Sequence, residues 1–390
     1  MADTLKATHP QKYYLRVVSR LMFYFGFGTY WYEGSPTRYP RLYAAWCILI
    51  QSYIFIVVMN LVMAIIRPDL REEEKSEVVQ LGFSQLLVVL KLIIIILQRH
   101  RIRAGFKKLL EEDRDIFCSL EVEKQSVKTA KAFFLPFIIG SYSHLSTTLV
   151  RWIFVSVMNG TPIQTQITYF PTPALAGFPY NVLRILIIAH WWLYVTIMIT
   201  SDCLCCLPIF FIAAKFKQVR MYFENLGESD LREWTADDFM KAIVNGIKLH
   251  QNALWSASNI QSAMGILYGV QILLTVILAG ISLFQLASLE RTFMNMASGA
   301  VYIICISFLT GAYMINSGVI TYEAEAVATA MFHCGWQRVP AERRLRTLLV
   351  VAIQRAQMPV YMTAFGVINL SHESYVTVLR AAYSFFALVY

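Results

Sequence analysis

Counting back from Leu388 at helical spacing, the chain places Ser384, Arg380, Thr377 and Glu373 on one stripe of its last apolar segment. The other faces of that segment carry Tyr375, Val378, Leu379, Ala382, Phe385 and Phe386. A membrane-crossing helix does not turn such a stripe toward lipid, because an ionised side chain at the hydrocarbon centre costs at least about 2.5–3.5 kcal/mol. The stripe must face other protein or water. Polar walls that end at one apolar residue suit a water-filled ion path closed by a dewetting constriction. One helix cannot enclose such a path, so this reading needs several copies around an axis. The same residues would also serve packing inside a monomeric bundle, and the stripe alone does not choose.

Four more charges fall inside or at the ends of apolar runs. Lys91 and Asp202 lie toward the inner halves of their segments and are expected to pair. Arg151 and Arg184 lie toward outer halves, beside Trp152 and Trp191, and are expected to snorkel to the headgroups. Gly265 and Gly269 read as a close helix–helix contact. Catalytic chemistry has no comparable support. The histidines at 9, 100, 144, 190, 250, 333 and 372 do not pair with Cys, Asp or Glu at metal-ligand spacing. Nucleophile elbow, P-loop and dinucleotide fingerprint are all missing. The expectation is no enzyme, no metal and no cofactor.

The segments that position these residues are hydrophobic throughout. Of 390 residues, 57% are hydrophobic and only 15% charged, against about 25% charged in soluble domains. A spanning helix needs about 20 apolar residues. Runs at 42–66, 78–97, 132–158, 182–213, 260–289, 293–320 and 374–390 predict seven spans. Val17–Gly28 is too short and reads as interfacial, and the polar N-terminus shows no cleavable signal pattern. The fold class expected is an all-α polytopic membrane protein in contact with the lipid bilayer.

Basic residues fix the orientation. With the N-terminus inside, the cytoplasmic segments hold 26 Lys and Arg, whereas the outer loops and helix ends hold 6. The net charge of +9 is therefore explained by topology and calls for no nucleic acid. The C-terminus is then outside. This orientation excludes a G-protein-coupled receptor, whose N-terminus is extracellular. Inside the cell, 214–258 reads as helical extensions of two spans, and 341–358 as an amphipathic helix before Pro359; packed together they predict a cytoplasmic helical bundle, itself an oligomer contact. Outside, the loop 159–180 carries the sequon Asn159-Gly160-Thr161, a candidate glycosylation site. The seven cysteines are expected to be free, with Cys205 and Cys206 buried in a helix.

The closing pattern Ser374-Tyr375-x-x-x-Leu379-Arg380-x-x-Tyr383-Ser384-Phe385-Phe386-x-Leu388 resembles the C-terminal signature of insect odorant receptors. Gln354-Arg355-Ala356-Gln357-Met358-Pro359 and Phe332-His333-Cys334-Gly335-Trp336 match as well, so the motifs cover about the last 60 residues. The Thr-Tyr…Gln-Phe ending of gustatory receptors is missing, as is the long second cytoplasmic loop of the universal co-receptor. The resemblance implies a ligand-tuned subunit of an odorant-gated, non-selective cation channel in the plasma membrane of a sensory dendrite. Its partners would be co-receptor subunits in a heterotetramer, and permeating cations.

The resemblance further implies three parts: spans one to six with their cytoplasmic extensions over 1–330, a cytoplasmic anchor over 331–358 and the pore-lining helix over 359–390. It puts Leu388 at the gate and the odorant pocket in the outer half of spans two, three, four and six. Residues there are Phe83 and Leu87; His144, Thr148 and Trp152; Ile188 and Trp191; and Tyr302. A pocket of rings and aliphatic groups suits a small, neutral, volatile ligand. Two other functions fit the same spans: a secondary transporter of a small solute, which would need inverted repeats not seen here, and a homomeric gustatory-type channel.

Overall fold

A computed structural model describes residues 6–27, 39–70, 72–112, 114–163, 166–175, 177–228, 235–288, 293–338 and 343–389. In chain order the helices are α1 (Pro10–Tyr24), α2 (Pro40–Met63, extended by a 3-10 turn at Ala64–Ile66), α3 (Glu72–Glu111), α4 (Leu120–Asn159), α5 (Phe178–Glu228), α6 (Ala236–Ser288), α7 (Phe293–Phe332), α8 (Arg343–Ala356) and α9 (His372–Val389). Between α8 and α9, β1 (Thr363–Ala364) pairs antiparallel with β2 (Ile368–Asn369). Among the described residues, α2 to α7 are the six helices long and apolar enough to cross a membrane. The 18 residues of α9 reach about 27 Å at about 1.5 Å each, close to the length that the seventh expected span needs. The chain is an all-α polytopic membrane protein.

Helix ends fall where the sequence supplies caps. The Ser119 hydroxyl accepts from Val122 N at 3.5 Å, with Glu121 and Glu123 in the first turn of α4. Gly160, at φ +64°, ends that helix in the left-handed conformation that glycine takes freely. The Ser371 hydroxyl accepts from Ser374 N at 3.2 Å and opens α9. Pro136 and Pro208 sit inside α4 and α5 without ending either helix.

Helix α5 is the hub of the bundle. Its apolar stretch is 89% buried, against 22% for that of α4, so α5 meets protein on all sides while α4 shows most of its surface to lipid. Cys203, Cys205 and Cys206 are buried on it. α1 lies against α4 and α5, with Leu15 and Met22 fully buried and Gln11 Nε2 donating to Ser126 Oγ at 2.6 Å.

Beyond the spans, α5, α6, α7 and α8 pack into a second helical bundle. Arg220 Nε meets Glu323 Oε2 at 2.9 Å, joining α5 to α7. The Tyr222 hydroxyl donates to Ala242 O at 2.9 Å, joining α5 to α6. α8 buries Leu345, Leu349, Ala352 and Ala356, one face at helical spacing.

Two expectations are corrected. Gly265 and Gly269 do not pack against a helix: they receive the hairpin between α8 and α9. Phe365 N donates to Gly265 O at 3.1 Å, and a side chain at Gly269 would collide with the Phe365 ring. Arg184 does not snorkel. It is 4% exposed, and it donates to Thr172 O at 2.9 Å, Leu175 O at 2.7 Å and Asn181 Oδ1 at 2.9 Å. Loop carbonyls that no helix or strand pairs supply acceptors within reach of the buried guanidinium.

Candidate functional site

A cavity of about 110 Å³ lies within the bundle; about 10–15 Å³ already holds a water molecule. Five helices wall it at helical spacing. Leu81, Ser84, Gln85, Val88 and Lys91 come from α3, and Phe137, Ser141 and His144 from α4. α5 gives Trp191, Tyr194, Val195, Met198 and Asp202; α6 gives Gln271, Leu274 and Leu278; α7 gives Tyr302, Cys305, Ile306 and Leu309. Most of the wall is aliphatic or aromatic, as in sites for small organic molecules. The rings of His144 and Tyr302 stand 5.2 Å apart across the gap between α4 and α7.

The floor is polar. Lys91 Nζ donates to Asp202 Oδ1 at 2.8 Å and also to Gln271 Oε1. Gln271 Nε2 passes a hydrogen bond on to Thr310 Oγ1 at 3.2 Å, and the Tyr313 hydroxyl donates to Asp202 O at 3.0 Å. Hydrogen bonds to the remaining groups help a buried ion pair hold its place, and here Gln271 of α6 accepts a second bond from Lys91. The expected Lys91–Asp202 pair is present and seals the inner end of the cavity.

The roof is the loop after α4, which contributes Gln166. Arg67 Nη1 donates to Thr168 O at 2.7 Å, and Arg184 holds Thr172 and Leu175. Asn60 clamps Phe170 through its side chain, donating to Phe170 O at 2.6 Å and accepting from Phe170 N at 2.9 Å.

Of the eight expected ligand residues, His144, Trp191 and Tyr302 line this cavity. Thr148 and Ile188 line a separate void of about 10 Å³, nearer the loop end and sharing Trp191. Trp152 lies one further turn toward that end, its indole 5.9 Å from the Arg151 guanidinium. Phe83 and Leu87 pack against Val270, Leu274 and Leu278, so they back the α6 wall. The whole α6 wall, Gln85 and Gln166 were not foreseen. Ser84 lies seven residues before Lys91, two turns along the same face of α3, so counting back from that lysine would have led to the polar pair Ser84-Gln85.

On α9, Val378 and Ala382 are buried against the bundle, and the Tyr375 hydroxyl donates to Ser307 O of α7 at 3.1 Å. Glu373, Thr377, Arg380 and Ser384 are exposed and face away from the chain's own helices. Packing inside the monomer therefore does not account for the stripe. Leu388 and Asn159 fall within the helical backbones of α9 and α4, and their side chains lie outside the described residues. Among the described residues, no cluster of His, Cys, Asp and Glu could hold a metal ion.

Comparisons with known proteins bear on the same region. A profile of the 7tm Odorant receptor family matches residues 73–383. Odorant receptor 22b of Drosophila melanogaster is 23% identical over 158 residues, which are 40% of this chain and 38% of that receptor. The match thus spans well under half of that relative's length. The insect olfactory receptor OR5 of Machilis hrabei, in complex with eugenol, superposes with a TM-score of 0.79 at 13% identity, over 99% of this chain and 98% of that one. A second structure of that receptor gives the same score and identity over 98% and 99%. At that identity the shared property is the fold. With the family profile running from the start of α3 into α9, the chain belongs to the 7tm odorant receptor family.

Proposed function

We propose that this chain is the odorant-sensing subunit of a ligand-gated, non-selective cation channel in the plasma membrane. The observation that carries the reading is the pairing of a largely apolar cavity among α3 to α7 with a polar stripe on α9 that its own bundle leaves uncovered. The cavity takes a small neutral volatile molecule; the family relative OR5 is described in complex with one, eugenol. Ligand efficiency falls from about −1.5 kcal/mol per heavy atom for the best tiny ligands to about −0.3 for drug-sized ones, so an odorant of about ten atoms binds in the micromolar range.

Copies of α9 around a shared axis form the ion path, with Glu373, Thr377, Arg380 and Ser384 along its wall and Leu388 at its apolar constriction. The remaining subunits are odorant co-receptor, joined through the cytoplasmic bundle into a heterotetramer. The reading assigns the chain no catalytic role. Whole-cell recording tests it: odorant-evoked current is expected from this chain with a co-receptor and not from this chain alone. Current from the chain alone would make it a homomeric channel. Uptake of a solute without unitary currents would make it a transporter.

A further inference from the structure

The geometry points to a cavity built to recognise a hydroxyl group, so that its ligands are small alcohols and phenols; this inference rests on the cavity's being the odorant site. Two carboxamides carry it. Gln85 is 2% exposed and Gln166 1% exposed, and both line the cavity. The amide oxygen of each has no hydrogen-bond partner among the described residues. A buried acceptor without a donor costs about 1–3 kcal/mol, so two in the lining of one cavity favour any ligand that brings a donor.

Two neighbouring donor groups have acceptors elsewhere. Lys91 is held by Asp202 and Gln271, and the Tyr194 hydroxyl donates to Ser84 O at 3.2 Å.

Isomeric probes fix the sign of the discrimination. Hexanol and methyl pentyl ether contain the same atoms, as do benzyl alcohol and anisole, so each pair buries nearly the same apolar surface. The alcohol surrenders more hydrogen bonding with water on entry, so a cavity without a free acceptor favours the ether. A free amide oxygen reverses the order, since only the hydroxyl can donate to it. A site with buried polar groups discriminates strongly against an analogue that leaves them unpaired.

The test is binding of these four compounds to the purified full-length chain, followed by thermal stabilisation and by tryptophan fluorescence, with Trp191 in the wall as reporter. Each alcohol is expected to bind at least about tenfold more tightly than its isomer, equivalent to about 1.4 kcal/mol. Gln85→Leu and Gln166→Leu should each shrink that ratio, and the double variant should favour the ether. Equal binding, or ether preference, in the unaltered chain overturns the hydroxyl assignment and leaves the cavity as the odorant site. An alcohol preference unchanged in both variants overturns the role of the two amides. Binding of none of the four overturns this inference together with the site's assignment. Alcohol-selective binding without odorant-evoked current upholds it and removes the channel reading. The comparison of isomers needs no variant, so a substitution that fails to fold does not decide it.

Discussion

Lys91 Nζ lies 2.8 Å from Asp202 Oδ1, and the two side chains are 3% and 2% exposed. The pair ties α3 to α5 at the inner end of the cavity. Breaking a buried pair by removing one partner is costly, about 3–5 kcal/mol, because a lone charge stays behind; replacing both with apolar residues is often neutral. Lys91→Met alone is therefore expected to lower the melting temperature of the detergent-solubilised chain and its surface expression. Lys91→Met with Asp202→Leu should restore most of both. A double variant no more stable than the single one would show that the pair is not what makes Lys91 tolerable.

The hairpin between α8 and α9 docks on α6 only because Gly269 leaves room for the Phe365 ring. Gly269→Val is expected to displace the hairpin at an overpacking cost of about 1–3 kcal/mol. Odorant-evoked current should fall severalfold while surface expression persists, and Phe365→Ala in the same chain should recover part of it. Undiminished current in Gly269→Val would mean that the contact does not position α9.

Arg380 is exposed on the stripe of α9. A fixed positive charge beside a cation path repels a divalent ion about twice as strongly as a monovalent one. In the channel formed with co-receptor, Arg380→Gln should raise the calcium-to-sodium permeability ratio at least about twofold, read from reversal potentials. An unchanged ratio would place this side chain off the ion path.

Leu388 continues the stripe at its outer end. An apolar ring gates by excluding water, and a smaller side chain wets at lower cost. Leu388→Ala is expected to produce current without odorant at normal expression; silence in that variant would move the constriction elsewhere.

The spans were legible because hydrocarbon demands long apolar runs. The Lys91–Asp202 contact was legible for a related reason: two opposite charges in apolar helices have few other places to go. The cavity was legible in part. His144, Trp191 and Tyr302 line it, while Phe83 and Leu87 are one position out of phase with Ser84, Gln85 and Val88 and so back the α6 wall instead. Gln166 sits in an irregular loop, where no periodicity announces which way a residue points. Gly265 and Gly269 announced that something approaches α6 closely, but the partner is a hairpin about a hundred residues away. Arg184 was misjudged because its acceptors are loop carbonyls, and backbone geometry leaves no trace in side-chain spacing.

In the proposed function, odorant occupies the cavity and thereby opens the channel. Ser141 lines the middle of the α4 wall, and Ser141→Trp would fill the space without touching α9. Recorded with co-receptor, this variant is predicted to lose odorant responses, with at least about a tenfold rise in the half-maximal concentration. A ligand acting on the co-receptor should still evoke full current. An odorant response of unchanged potency in that variant would contradict the account.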